Sequence, residues 1–219
     1  MEQAWVSLAI GTVVPLLLLR GMDTQTLTAE ALKWIFAGAL LIAPALLVEE
    51  QVTLFVDGLG LSTRAVALVT NFLIAGLVEE VIRFFAIDYA FKKFAPRFRD
   101  LLFISLWISM GFAIVENTFY ILSSPPETML VTAVIRLLLP TGMHLCCGAI
   151  VAGGVYRVFG PLSALAIVAA ILFHGFYDWI TEISNTGFQA SFATLLLGLF
   201  LVGVVVRRGR VLESRHENH

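Results

Sequence analysis

The sequence predicts an all-α fold: a polytopic membrane bundle of about seven transmembrane helices plus one re-entrant or interfacial half-helix. Three observations predict it. Of the 219 residues, 59% are hydrophobic and only 14% are charged, with a mean hydropathy of +0.91. An ordinary soluble domain is roughly one-quarter charged. Apolar runs near the 20 or so residues that a bilayer core requires recur along the chain, and basic residues gather at the ends of those runs on alternate sides. The net charge of −2 offers no basic surface to phosphates, so nucleic acid is excluded as a partner and the lipid bilayer is the implied one.

The first span covers 4–19. Glu2 precedes it and Arg20 follows it, and it lacks the basic start and small-residue cleavage site of a signal peptide, so it reads as a mature helix that Pro15 can kink. The second, 32–48, has Pro44 near its end and gives way to the acidic residues Glu49, Glu50 and Asp57. The stretch Asp57-Gly58-Leu59-Gly60 reads as a turn. The third, 65–90, carries Glu79, Glu80 and Arg83 inside its apolar run. The fourth, 101–122, contains Glu116 and Asn117 and stops at Ser123-Ser124-Pro125-Pro126. Residues 128–139 are apolar, too short to span and interrupted by Arg136, which gives the expected half-helix leading through Pro140. The fifth span, 141–158, carries His144. The sixth, 161–180, opens on Pro161 and carries His174 and Asp178, and the seventh, 188–206, has no ionisable group. No low-complexity tract or internal repeat divides the chain, and 1–219 reads as a single integral membrane domain.

Charge fixes the expected orientation. With the loop after the third span placed in the cytoplasm, that side receives Arg20, Lys33, Lys92, Lys93, Arg97, Arg99, Arg157, Arg207, Arg208, Arg210 and Arg215, while the other receives Arg64 alone. The expectation is a multi-pass protein of the cell membrane with its N-terminus outside and its C-terminus in the cytoplasm. The adjacent Cys146 and Cys147 cannot easily reach relaxed disulfide geometry and read as small packing residues.

The ionisable groups within the spans are the informative residues. At the bilayer centre each charge costs roughly 2.5–3.5 kcal/mol, so the six formal charges of Glu79, Glu80, Arg83, Glu116, Arg136 and Asp178 would cost on the order of 15–20 kcal/mol if left apart. One shared polar cavity avoids most of that cost. Arg83 lies four residues from Glu79 and three from Glu80, within reach of either on a helix face, and Asp178 lies four from His174. Counting about 1.5 Å per residue from the span ends puts Glu79, Glu116 and His174 near one depth, with His144 toward the outer end of its span. Taken singly, each is an ordinary intramembrane ion pair or satisfied histidine, and Arg136 reads as a snorkelling arginine. On four helices together they read as a site for water activation, with a carboxylate as general base and imidazoles moving protons or holding a metal.

These motifs resemble the PrsW family of intramembrane proteases. The resemblance lies in Glu79-Glu80-x-x-Arg83, Phe112-x-x-x-Glu116-Asn117, Arg136 with His144, and His174-x-x-x-Asp178, on successive spans. That family is related to the CAAX prenyl endopeptidase and bacteriocin-processing (Abi, CPBP) superfamily. The resemblance implies an endopeptidase acting on membrane-anchored protein or peptide substrates, including site-1 cleavage of single-span regulators such as anti-sigma factors. Catalytic residues would be Glu79, Glu80, Arg83, Glu116, Asn117, His144, His174 and Asp178, with Arg136 in support. Arg83 stands where lysine is usual, which keeps the charge and changes the donor geometry. Asp178 stands where related enzymes often carry Asn, and Glu116 where they often carry His, so the site is better suited to a cation such as Zn²⁺, held among Glu80, Glu116, His144, His174 and Asp178. A glutamate-dependent mechanism without metal is the other form of the same reading. A proton-coupled transporter or channel would also use midplane carboxylates and histidines, against which stand the small size and lack of an inverted repeat.

Overall fold

The computed structural model describes residues 4–11, 29–95, 97–183 and 187–217. The described residues are helical throughout, with no strand among them. Helix α1 is described over residues 4–11, and the remainder of the expected first span lies outside the described residues. The chain then runs through α2 (Ala29–Leu40), α3 (Ile42–Asp57), α4 (Thr63–Val69), a π-helical segment (Thr70–Glu79) and α5 (Glu80–Phe94). There follow α6 (Phe98–Ser123), α7 (Met129–Leu138), α8 (Pro140–Val155), a 3₁₀ turn (Gly160–Ser163), α9 (Ala164–Ile183) and α10 (Gly187–Glu217). Six of these helical paths are long and apolar enough to cross a membrane: Ala29–Asp57, Thr63–Phe94, Phe98–Ser123, Met129–Val155, Gly160–Glu182 and Phe188–Arg215.

Two boundaries differ from the sequence reading. The second span does not end at residue 48: α2 and α3 continue to Asp57, so Glu49 and Glu50 belong to a helix and not to an acidic loop. Pro44 is tolerated because it sits in the first turn of α3, where backbone N–H groups have no helical partner. Residues 128–139 hold the expected short helix, α7, but it does not stand apart from the next span: α7 and α8 make one 27-residue apolar path. Pro140 cannot donate to the carbonyl of Arg136, and the hydroxyl of Thr141 does so instead at 2.8 Å. Backbone bonds from Leu139 N to Ile135 O and from Met143 N to Leu139 O, both 2.9 Å, carry the helix across the proline. The turn at residues 58–60 is as expected, with Gly60 at φ +62.

Helices α6 and α8 form the centre of the bundle and the others pack around them. Glycines set the closest approaches. Gly38 and Gly111 put the backbones of α2 and α6 in direct contact, where a Cβ would strike Ile108 or Ile35. Gly76 and Gly175 do the same for the π segment and α9, since a Cβ on Gly76 would lie 2.8 Å from the Ile171 carbonyl and one on Gly175 2.9 Å from that of Asn71. This second crossing is the one that brings Glu79 and Glu80 to His174.

Candidate active site

The apolar core opens on one side into a cavity of about 770 Å³, whose walls include Glu49, Glu79, Glu116, Arg136 and Asp178. It lies toward the end of the bundle away from Lys92, Lys93 and the C-terminal arginines. Glu79 closes the π segment and Glu80 begins α5. A π-helix of this length is rare, and such segments recur at functional sites. Glu79 is 6% exposed and faces the cavity, whereas Glu80 is fully buried behind it.

Arg83 joins the two glutamates. Its Nη2 donates to Glu80, lies 3.4 Å from Glu79 Oε2 and stands 3.2 Å from His174 Nδ1. Glu80 Oε1 is 2.8 Å from the same Nδ1, and His174 Nε2 lies 3.2 Å from Asp178 Oδ2 and 3.8 Å from Glu79 Oε2. The imidazole of His174 is therefore oriented from one side by Glu80 and meets the cavity carboxylates with its other nitrogen.

A second cluster faces it. Glu116 accepts from Arg136 Nη2 at 2.5 Å through one oxygen and lies 2.5 Å from His144 Nε2 through the other. Arg136 Nε donates to Asn117 Oδ1 at 2.7 Å, and its guanidinium lies 3.7 Å over the ring of Tyr120. Asn117 Nδ2 donates to Thr141 Oγ1 at 2.9 Å, whose hydroxyl returns to the Arg136 carbonyl. The two clusters meet where the rings of His144 and His174 stand edge to face, 5.1 Å apart.

All nine residues expected at the site are thus brought together. Arg136 does not snorkel; it braces Glu116 and Asn117. Among the described residues two groups of three donors are close enough to share an ion, with ligand atoms within 4.8 Å of one another: Glu79, His144 and His174, and Glu80, Cys147 and His174. Glu116 and Asp178, both expected as ligands, each sit against an imidazole nitrogen. The first group is a His₂Glu set of the kind that binds Zn²⁺ with an open position. His144 has the Glu116 carboxylate on one nitrogen and His174 has Glu80 on its Nδ1, as metal-binding histidines usually do, and His144 Nδ1 is buried with no hydrogen-bond partner. The residues present therefore fit a metal ion.

Sequence reasoning missed Thr141, whose only signal is a hydroxyl directly after a proline in an apolar run. It also missed Glu49 on the cavity wall and Asn71, which donates to Glu182 Oε2 at 2.6 Å across the π segment and α9. Cys146 and Cys147 are free and buried, as packing residues should be.

Comparison with known proteins decides the family. The family model described as "PrsW family intramembrane metalloprotease" matches residues 28–206. The chain belongs to the PrsW family. Proteins called Protease PrsW resemble it from Geobacillus kaustophilus (29% identity, over 68% of this chain and 65% of that protein) and Bacillus subtilis (29%, over 70% and 71%). A third, from Halalkalibacterium halodurans, is 26% identical over 76% of this chain and 77% of that protein. The match thus spans just under two-thirds of the first relative. No solved structure gives a significant match. The family is described as one of intramembrane metalloproteases, which agrees with the membrane protease that the motifs imply and, of its two forms, with the metal-dependent one; the six apolar paths agree with a multi-pass protein, and the transporter reading gains no support.

Proposed function

We propose that this PrsW-family chain is an intramembrane endopeptidase that hydrolyses a peptide bond of a membrane-associated protein at the floor of the cavity. The observation that carries this reading is the convergence of Glu79, His144 and His174, from three separate helical paths, beside an open cavity in an otherwise apolar bundle. Glu79, His144 and His174 would hold Zn²⁺, which when bound polarises the scissile carbonyl and makes its water acidic. Asp178, on the cavity wall and 29% exposed along its side chain, takes the proton of the attacking water. The same Asp178 carboxyl, protonated by that step, then gives the proton to the leaving amine. Glu80 and Arg83 are positioning residues that fix the His174 ring, and Glu116, Asn117 and Arg136 do the same for His144. The apolar walls exclude bulk water and accept the flanking substrate segment.

The same reading extends to finer statements. The substrate would be a single-span regulator of the anti-sigma type, cut at site 1, and the family would stand beside the CAAX prenyl endopeptidases and the wider Abi (CPBP) group, a relationship that the order of the motifs supports. Residues 1–219 would act as one membrane domain of the cell membrane. The N-terminus would lie outside and the C-terminus in the cytoplasm, on the strength of the one-sided distribution of Lys and Arg. In proteoliposomes offered a panel of single-span peptides, wild-type protein should cleave and chelator should stop it, while His174→Ala should be inactive. Proton flux without cleavage would contradict the proposal.

A further inference from the structure

Helix α10 outlasts the bilayer. Its 31 residues reach about 46 Å at 1.5 Å each, against a hydrocarbon core near 30 Å. The apolar run from Phe188 ends at Arg207, so the last ten or so residues emerge into the headgroup region. One face of this emerging end carries Val204, Arg207, Arg208, Val211, Leu212 and Arg215, recurring at helical spacing of three and four. These residues and Val158 line a groove of about 460 Å³.

The composition of that groove is one-sided. It presents three arginines and no carboxylate, and none of the three forms an ion pair among the described residues. The adjacent groove differs, because there Glu213 accompanies Arg99 and Arg210. Arg208 is held in place by Phe159, with its guanidinium 5.4 Å from the ring. Val158 reaches the wall through a tight reversal in which Arg157 adopts φ +59 and Val158 N bonds back to Gly153 O at 2.9 Å. Aliphatic walls below and a fork of guanidinium groups above make an amphipathic slot at membrane depth.

We propose that this groove binds one anionic phospholipid, the phosphate and headgroup held by Arg207, Arg208 and Arg215 and an acyl chain laid along Val158, Val204, Val211 and Leu212. Guanidinium forks suit phosphate oxygens, and basic residues at this depth attract anionic headgroups. The site lies at the opposite end of the bundle from the cavity and rests on no part of the catalytic reading.

The test is lipid retention by the whole protein in nanodiscs of phosphatidylcholine with about 30% phosphatidylglycerol, counted by native mass spectrometry. The Arg207→Gln/Arg208→Gln/Arg215→Gln variant should retain phosphatidylglycerol about tenfold less than wild type, and the corresponding Lys variant should recover much of the loss. Lys92→Gln/Lys93→Gln, basic residues of α5 outside the groove, should leave retention unchanged. Equal loss in both Gln variants would reduce the effect to general surface charge and overturn the proposal. So would unchanged retention in the triple variant, or displacement of the lipid by free glycerol phosphate at equal concentration. Unfolding midpoints of all variants, expected within a few degrees of wild type, separate lost binding from lost fold.

Discussion

The site holds one arginine, one glutamate and one histidine twice over, in two different constructions. Arg83, Glu80 and His174 are all fully or almost fully buried, and two of the three come from adjacent turns of one helix. Arg136, Glu116 and His144 come from α7, α6 and α8, and the first two are 14% and 18% exposed beside the cavity. The first trio is a local motif pressed against a neighbouring helix at the Gly76–Gly175 crossing. The second is assembled from separate helices and locked by a ring of hydrogen bonds through Asn117 and Thr141. The difference teaches that a buried ion pair needs little sequence distance when sealed, whereas one at a wet cavity edge needs bracing from several sides. Both trios do one job, turning an imidazole toward the other.

If both imidazoles serve one centre, His144→Ala and His174→Ala should each lower peptide cleavage by about 10³-fold or more and should each release bound metal, as measured by elemental analysis. Loss in only one of them would split the pair. Next in size is a stability contrast. Arg83→Gln removes the arginine paired with the buried Glu80 carboxylate, leaves it the His174 imidazole alone, and should cost about 3–5 kcal/mol in a denaturation experiment. Arg136→Gln, at the partly wet edge, should cost about 1–2 kcal/mol and act mainly on kcat. Equal costs would erase the distinction between sealed and braced trios. Thr141→Val removes two hydrogen bonds and should cost about 1–2 kcal/mol with a fall in kcat at unchanged KM, while Thr141→Ser should restore both. The smallest effect is expected from Arg83→Lys. A single guanidinium nitrogen, Nη2, makes the contacts to Glu79, Glu80 and His174, so an ammonium there should keep cleavage within about fivefold.

The two constructions also explain what was legible in the sequence. Glu79, Glu80, Arg83 and the pair His174–Asp178 lie three or four apart, so helix geometry alone placed them face to face. That Glu116, His144 and Arg136 belong to one polar cluster follows from the cost of charge in lipid, but their pairing depends on tertiary packing that no spacing encodes. Taken alone, Arg136 reads as a snorkelling arginine, and only jointly as a supporting residue, because its partners lie 19 and 20 residues away. Residues 128–139 read as a half-helix leading through Pro140 because a proline deletes a backbone donor; that Thr141 replaces the lost bond is a local side-chain event that an apolar count does not see. Glu49 reads from sequence as the start of an acidic stretch after the span for a similar reason: a charge ends a hydropathy run, though a helix whose charged face meets a cavity continues through it.

The assignment of Glu79, and not the adjacent Glu80, as the partner of both imidazoles rests on their grouping beside the cavity. It is tested most directly by comparing Glu79→Gln and Glu80→Gln in metal-loaded proteoliposomes, measuring peptide cleavage and bound metal on the same samples. Glu79→Gln is expected to lose both cleavage and metal, while Glu80→Gln keeps its metal and cleaves more slowly. A Glu79→Gln protein that holds its metal and cleaves at the wild-type rate would contradict it.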